Sequence, residues 1–504
     1  MFRKRRKNGE TEKKAHSLDI TELKEQLNKE LNESPDLVFR VFHRDDKKYI
    51  IIFISNLVKT EIIDEFVLKP LLESKGNINT TEDILNILPL TQVNVTNQLM
   101  EIKEVLLKGS LYLYKEGEPF GIIGDVKKAE ARSLGQAETE SLVYGPKISF
   151  TEQLSTNLNV IRNNIVDANL VMEDITVGRR TKVNGKLVYI SDIAEEENVN
   201  TLRQRINDLD VDHIQDSSVL AQYIEDNSWT VFPQLITTEL PDRFCLALIK
   251  GKVGVLLDRS PAAIYGPTTF FSFFESTEDV YMRWNMGSFI RMLRLVAIFL
   301  SVLLTPAYVA VLTYHYEVIP SPLLVSLGQS RSNVPFPPIF EALLLEFIIE
   351  MLREAGARLP TKVGQTMGIV GGIVIGQASV EAGFTSNILI IIIAISALGS
   401  FTAPSYIMGS AIRIVRFPII VLAGIWGGVG IMIGFCILLI HLLKLSTLGR
   451  PYLTPIYPFS FHDLRYSIFR LPLQYLGGRP ETNEPTDKRR YPLKKAKTIK
   501  DVDE

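Results

Sequence analysis

The chain has 504 residues, 46% of them hydrophobic, and a formal net charge of −2. That balance provides no broad basic surface for nucleic acid, and two cysteines in different halves, Cys245 and Cys436, argue against a disulfide framework. The averages conceal a division. Charged and apolar stretches alternate up to about residue 290, whereas residues 294–443 contain long runs with few charges, so two or three domains are expected.

Residues 1–17 read as a basic disordered tail. Met1-Phe2-Arg3-Lys4-Arg5-Arg6-Lys7 has no apolar stretch after it, so no signal peptide is expected. The run is either solvated or in contact with anionic lipid.

Residues 18–130 and 147–275 read as two similar α/β lobes. Leu106-Leu107-Lys108-Gly109, running on through Pro119 to Gly124, matches Leu248-Ile249-Lys250-Gly251 through Pro261 to Gly266 at a constant offset of 142 residues. Each block predicts two strands around a turn. Ser110 to Tyr114 alternates like a half-buried strand, and Lys252 to Leu257 reads as a buried one. Tyr49 to Asn56 likewise matches Lys186 to Asp192, and each precedes a stretch with helical spacing, Glu61 to Leu72 and Glu195 to Leu209. Ser55-Asn56 and Ser191-Asp192 are expected to cap those helices. The charged stretch Lys127 to Thr139 reads as a linker, and a cleft is expected between the lobes. The six histidines have no metal-ligand spacing, and no P-loop, dinucleotide fingerprint or nucleophile elbow is present. No enzyme activity, metal or cofactor is therefore expected.

Residues 290–445 read as a transmembrane domain. Four spans are expected, at Leu295 to Leu312, Thr366 to Val380, Ile388 to Phe401 and Phe417 to Leu443, the last interrupted by Gly427-Gly428-Val429-Gly430. Ile339 to Met351 is apolar but carries Glu341, Glu346 and Glu350, with Arg353 and Glu354 just beyond. Glu346, Glu350, Arg353 and Glu354 share one helical face. Carboxylates in hydrocarbon cost roughly 2.5–3.5 kcal/mol each, so this amphipathic helix is expected to lie at the interface, or to face protein or water, without spanning. Gly364, Gly368, Gly372 and Gly376 repeat every fourth residue, a bare stripe for close helix packing. One residue on runs a second stripe, Gln365, Ile369, Ile373, Gln377 and Glu381, polar at both ends, which either lines a pore or packs against a neighbouring helix. Residues 446–504 read as a cytosolic tail, rich in proline and aromatics as far as Gln474, lying on the membrane or the lobes, with a disordered charged end.

The run from Asn333-Val334-Pro335-Phe336-Pro337-Pro338 to Leu344, together with Leu352 to Gly356, Arg358-Leu359-Pro360, Gly364-Gln365-Thr366 and Gly376-Gln377-Ala378, resembles the A subunit of the GerA-type spore germinant receptors. Ile214-Gln215-Asp216-Ser217 and Phe232-Pro233-Gln234 share that resemblance. It implies an α/β soluble region of two tandem similar lobes followed by an all-α polytopic membrane domain, in the inner membrane of a bacterial endospore. It further implies a transporter-like B subunit and a lipoprotein C subunit as partners. A homo-oligomer ring would release cations in response to nutrient, with Ile373 and Gln377 on the pore side. The alternatives are a non-conducting scaffold for the partner subunits and the stage V sporulation paralogue of the same family.

Overall fold

The computed structural model describes residues 16–45, 47–74, 78, 80–90, 92–127, 135, 137, 140, 144–359, 372 and 376–491. The N-terminal region is α/β, built on two five-stranded sheets. The first comprises β1 (Leu37–Arg44), β2 (Lys47–Ile54), β3 (Val93–Thr96), β4 (Ser110–Lys115) and β5 (Gly121–Asp125), in the order β1-β2-β4-β5-β3. The second comprises β6 (Leu170–Val177), β7 (Val183–Ile190), β8 (Ile236–Thr238), β9 (Val253–Leu257) and β10 (Ala263–Gly266), in the order β6-β7-β9-β10-β8. Every pairing is antiparallel, and the two orders are the same.

The isoleucine run of β2 is explained by burial on both faces. Ile50, Ile52 and Ile54 pack with the helices Ile20–Glu30 and Leu99–Leu107. Tyr49, Ile51 and Phe53 point the other way, onto the segment Thr60–Glu73. This is the period of two expected of a strand between two layers. β4 departs from its half-buried reading. Tyr112 and Tyr114 are buried, their hydroxyls donating to the carbonyls of Thr96 (3.2 Å) and Leu18 (2.9 Å). The polar part of its alternation is thus a tyrosine tip that finds a carbonyl. The expected caps are also displaced. The two helices begin after Lys59 and Glu195, neither of which caps with its side chain. His16 and Ser17 belong to the first lobe, and His16 is buried 4.6 Å from the Tyr114 ring.

Arg162 and Asp36 join the lobes. They form an ion pair of 3.0 Å with both side chains 1% exposed, and Ser34 accepts a further bond from Arg162 (3.0 Å). At this junction the packing leaves no room for a water-sized molecule, so the expected cleft is closed there.

The C-terminal region is a helical bundle: α1 (Trp284–Tyr314), α2 (Ser321–Arg331), α3 (Pro338–Arg358), α4 (Asn387–Phe401) and α5 (Tyr406–Lys444). α1 starts ten residues or so before its apolar run, and its first turns rest on the second lobe. α5 is not one rod. Gly427 has φ 60° and ψ −135°, a conformation only glycine adopts readily. A Cβ on Gly430 would overlap the Leu422 carbonyl, yet a straight helix would separate residues 422 and 430 by about 12 Å. The chain therefore reverses at Gly427. Met408, Ala411, Ile412, Leu442 and Leu445 all join the core of the second lobe, so both arms return to it. The residues freed by the reversal are satisfied from α1: the Tyr314 hydroxyl donates to Ile425 O (2.6 Å), and the Gly428 amide donates to His315 Nε2 (3.1 Å).

α3 packs against the bundle with Glu341 and Glu346 facing protein, one of the placements its charges allowed. Its start meets Gly424 through Ile339 at the far end, and Glu350 meets Arg413 near the lobe. The expected span Thr366 to Val380 falls mostly outside the described residues, although residues 376–381 are helical. The tail is ordered to residue 491, beyond the point where disorder was expected. Tyr452 is buried with its hydroxyl on Pro233 O (2.7 Å), Asn483 donates to Lys250 O (2.9 Å), and the Thr486 amide donates to Ile193 O (3.0 Å).

Candidate functional site

Apolar helices that bury charges do so at cost, and such charges tend to mark function. Here they form tiers along the bundle. The tier nearest the lobe centres on Asp279, buried and shared by Arg291 (3.2 Å) and Arg294 (3.1 Å) of α1. Arg294 also donates to Phe274 O (2.7 Å) and Arg291 to Tyr466 O (2.5 Å). Lobe, bundle and tail are thereby fastened at one carboxylate. In the next tier Glu350 pairs with Arg353 (2.8 Å) and Arg413 (3.4 Å), and the Arg353 guanidinium sits 4.9 Å from the Phe401 ring centre.

The third tier is the most enclosed. Glu346 and Arg416 pair at 2.7 Å with side chains 5% and 2% exposed. Arg416 also donates to Ser301 Oγ (2.6 Å) and Ser396 O (3.4 Å), and Thr305 donates to Glu346 (3.0 Å). One residue or more from α1, α3, α4 and α5 therefore meets in a single knot. In the last tier Glu341 accepts from Thr385 Oγ1 (3.0 Å) and the Ser386 amide (2.6 Å), with Arg331 of α2 3.5 Å away. Ser386 in turn bonds the Tyr308 hydroxyl (2.9 Å). From Arg294 to Tyr308 is roughly 21 Å along α1 at 1.5 Å per residue, so the tiers extend through most of an apolar layer.

The charged-face residues thus divide. Glu346 enters the bundle, Glu350 lies partly exposed at its edge braced by Arg353, and Glu354 pairs outward with Arg358 (2.5 Å). Glu341, placed off that face by its spacing, is nonetheless buried. Sequence reasoning missed Arg331, Arg413, Arg416, Ser301, Thr305 and Asp279. The available signal was arginine inside or beside apolar runs, where Arg331, Arg413 and Arg416 could answer Glu341, Glu350 and Glu346.

Of the second stripe, Gln377 and Glu381 are exposed and bonded to each other, the amide donating at 3.0 Å. Gln365, Ile369 and Ile373 lie outside the described residues, as do Gly364 and Gly368. Among the described residues nothing comes within 4 Å of a Cβ built on Gly372 or Gly376. Likewise, no group of three metal-ligating side chains is close enough to hold an ion.

Ionisation in the second lobe is perturbed beside the Asp279 tier. Burial, then the charges of Lys250 and Arg243, pushes Lys252 down to about 7. Burial pushes the Tyr265 phenol up to about 12. Burial would raise Glu275, but Lys250, Arg291 and Lys252 outweigh it and hold the carboxyl below its ordinary value.

Among the described residues two helices, α1 and α5, are long and apolar enough by length and composition to cross a membrane. Residues 25–482 match the model of the Bacillus/Clostridium GerA spore germination protein family. The chain is 44% identical over 451 residues to spore germination protein GerQA of Bacillus cereus, covering 89% of this chain and 90% of that one. It is 40% identical over 463 residues to GerIA of the same organism, covering 91% and 69%. The crystal structure of the N-terminal domain of the A subunit of the Bacillus megaterium spore germinant receptor GerK3 aligns at a TM-score of 0.40 and 24% identity, over 51% of this chain and 98% of that one. On the extent of the family match and the identity to its relatives, the chain belongs to the Bacillus/Clostridium GerA spore germination proteins.

Proposed function

We propose that the chain is the membrane subunit of a spore germinant receptor and that several copies surround a nutrient-gated cation pore lined by Ile369, Ile373, Gln377 and Glu381. The observation that carries this reading is the contrast between two parts of the bundle. α1, α3, α4 and α5 are bound to one another through the buried Glu346–Arg416 pair and the hydrogen bonds around it. Nothing among the described residues comes within 4 Å of a Cβ built on Gly372 or Gly376, and Gln377 and Glu381 are exposed. A bare glycine face with an adjacent polar seam is suited to a second copy of the chain, and a ring of carboxylates to cations.

In this reading α1 leaves the lobe side, α3 and α4 return to it, and the two arms of α5 go out and back. The segment between α3 and α4 supplies the remaining pass. Both chain ends and the lobes then share the cytosolic side, in the inner membrane of the endospore. The two sheets of equal strand order constitute tandem lobes, which take up signals from a transporter-like B subunit and a lipoprotein C subunit. Nutrient-driven motion enters the bundle at Asp279, where lobe and α1 are joined.

Ile373→Ala, by thinning the apolar constriction, is expected to leak cations several-fold faster than the parent without nutrient, measured as ion flux from vesicles or spores. Flux equal to the parent, combined with unchanged selectivity in Glu381→Gln, would leave the chain a scaffold for its partners and end the pore reading.

A further inference from the structure

A cavity of about 130 Å³ lies where the second lobe, the first turns of α1 and the tail meet. Its wall is cationic. The lobe contributes Arg243, Lys250 and Lys252, and among the described residues the only lining carboxylate is Glu275. α1 adds Arg291, and the tail adds Arg465, Arg470 and Arg490.

Several of these charges are already balanced. Lys250 pairs with Glu275 (3.1 Å), Arg243 with Glu140, and Arg291 with Asp279. Two buried cations are not. Arg470 donates only to backbone carbonyls, among them Val280 and Met282 at 2.8 Å. Lys252 is 7% exposed and lines the cavity; its amide donates to Ala247 O (3.1 Å) and Glu275 favours its charge without pairing with it, but its ammonium makes neither a hydrogen bond nor an ion pair among the described residues. The ammonium lies 5.4 Å from the centre of the Tyr265 ring. An ammonium group removed from water without a partner is costly, and the cost is relieved if an anion occupies the cavity.

We propose that this cavity binds a phosphate group, and that the phosphate belongs to the head group of an anionic phospholipid. Arginine and lysine donors from three chain segments converge, a geometry that suits an oxyanion with several acceptor oxygens. The lipid source rests on the membrane reading above. Trp284, Met286, Phe289 and Leu293 are exposed on the same turns of α1, which places apolar side chains at the level where acyl chains would begin, and basic pockets at that level take lipid head groups. The depressed Lys252 accords with an empty site. The charged and titratable groups facing it are Lys250, Arg243, Glu275 and Tyr265, and a bound phosphodiester would restore its proton.

The test uses the full chain, purified and delipidated in neutral detergent. Binding of short-chain phosphatidylglycerol, phosphatidylcholine and inorganic phosphate is measured by native mass spectrometry and calorimetry. The expected result is preference for phosphatidylglycerol over phosphatidylcholine, weakened about tenfold or more by Lys252→Met and by Arg465→Gln through loss of a charge-assisted contact. Affinity should decline as pH rises above about 7, because the empty site must then take up a proton, and Lys252→Arg should flatten that decline. Phosphate bound with no preference between the two lipids would overturn the lipid source. Absence of binding by either anion, or unchanged affinity in both charge-removing variants, would overturn the site. Ion flux does not enter these readouts, so failure of the pore reading and failure of this one are separable.

Discussion

Arg416→Met tests whether the third tier holds the bundle together. The substitution leaves Glu346 buried without its cation, and breaking a buried pair from one side costs about 3–5 kcal/mol. Ser301 Oγ and the Ser396 carbonyl lose a donor as well, at about 1 kcal/mol each for hydrogen bonds of this kind. A loss of about 5–7 kcal/mol is expected from these contributions, measured by reversible unfolding of the full chain in mixed micelles. Glu346→Gln alone strands Arg416 in the same way. The double variant removes both charges while the glutamine oxygen still accepts from Thr305, so it should lie within about 2 kcal/mol of the parent, well below the sum of the two single losses. Single variants within about 1 kcal/mol of the parent, or a double variant whose cost is the sum of the two, would refute the view that this pair is desolvated and shared by four helices.

Gly427→Ala should lower the thermal midpoint, because φ 60° with ψ −135° costs a side-chain-bearing residue about 1–3 kcal/mol; an unchanged midpoint would mean that α5 does not reverse there. Arg162→Met should destabilise the paired lobes by about 3–5 kcal/mol with little response to salt, since both partners are 1% exposed. A strong salt dependence of the parent's stability that the variant lacks would show the junction to be solvated. For Lys252 the sign follows from its lowered value in the folded chain, about 7 against an ordinary 10.5. The unfolded chain binds the extra proton between those values, so the anion-free protein should gain stability as pH rises from 7 toward 10. Lys252→Met should lack that gain, and parallel pH–melting profiles of the two proteins would contradict it.

Much of the lobes was legible because burial writes itself into sequence with period two. Lys252 to Leu257 and the run around Ile50 are strands packed on both sides, and no other placement satisfies so many consecutive apolar residues. The caps were less legible. Ser55 and Asp192 are good capping types, but three or four further residues of turn separate each from its helix, and residue type alone does not fix that spacing. The reversal in α5 was half legible: the glycine cluster marked a weak point, but only the placement of Gly430 against Leu422 distinguishes a bend from a turn. The order of the tail to residue 491 was not legible, because Arg479, Asn483 and Thr486 bind lobe backbone more than 200 residues away in the chain.

The glutamate helix shows most plainly why local charge counting fails in a bundle. An insertion scale assigns each carboxylate of α3 the cost of an isolated side chain in hydrocarbon, and on that footing exclusion of the helix follows. The cost falls when a cation and hydrogen-bond donors are buried with it, and the partners here come from Arg331, Arg413 and Arg416, on α2 and α5. Placing α3 in the bundle also changes what the basic residues require. With four passes and α3 outside, Arg353, Arg358 and Arg413 fall on the side away from the lobes. With α3 as a pass and α5 doubled back, Arg353 and Arg413 lie at the lobe end beside Glu350 and Phe401, and the basic tail remains with them. Under the topology proposed above, the positive-inside rule and the buried pairs agree, whereas neither the charges nor the apolar runs specify a topology alone.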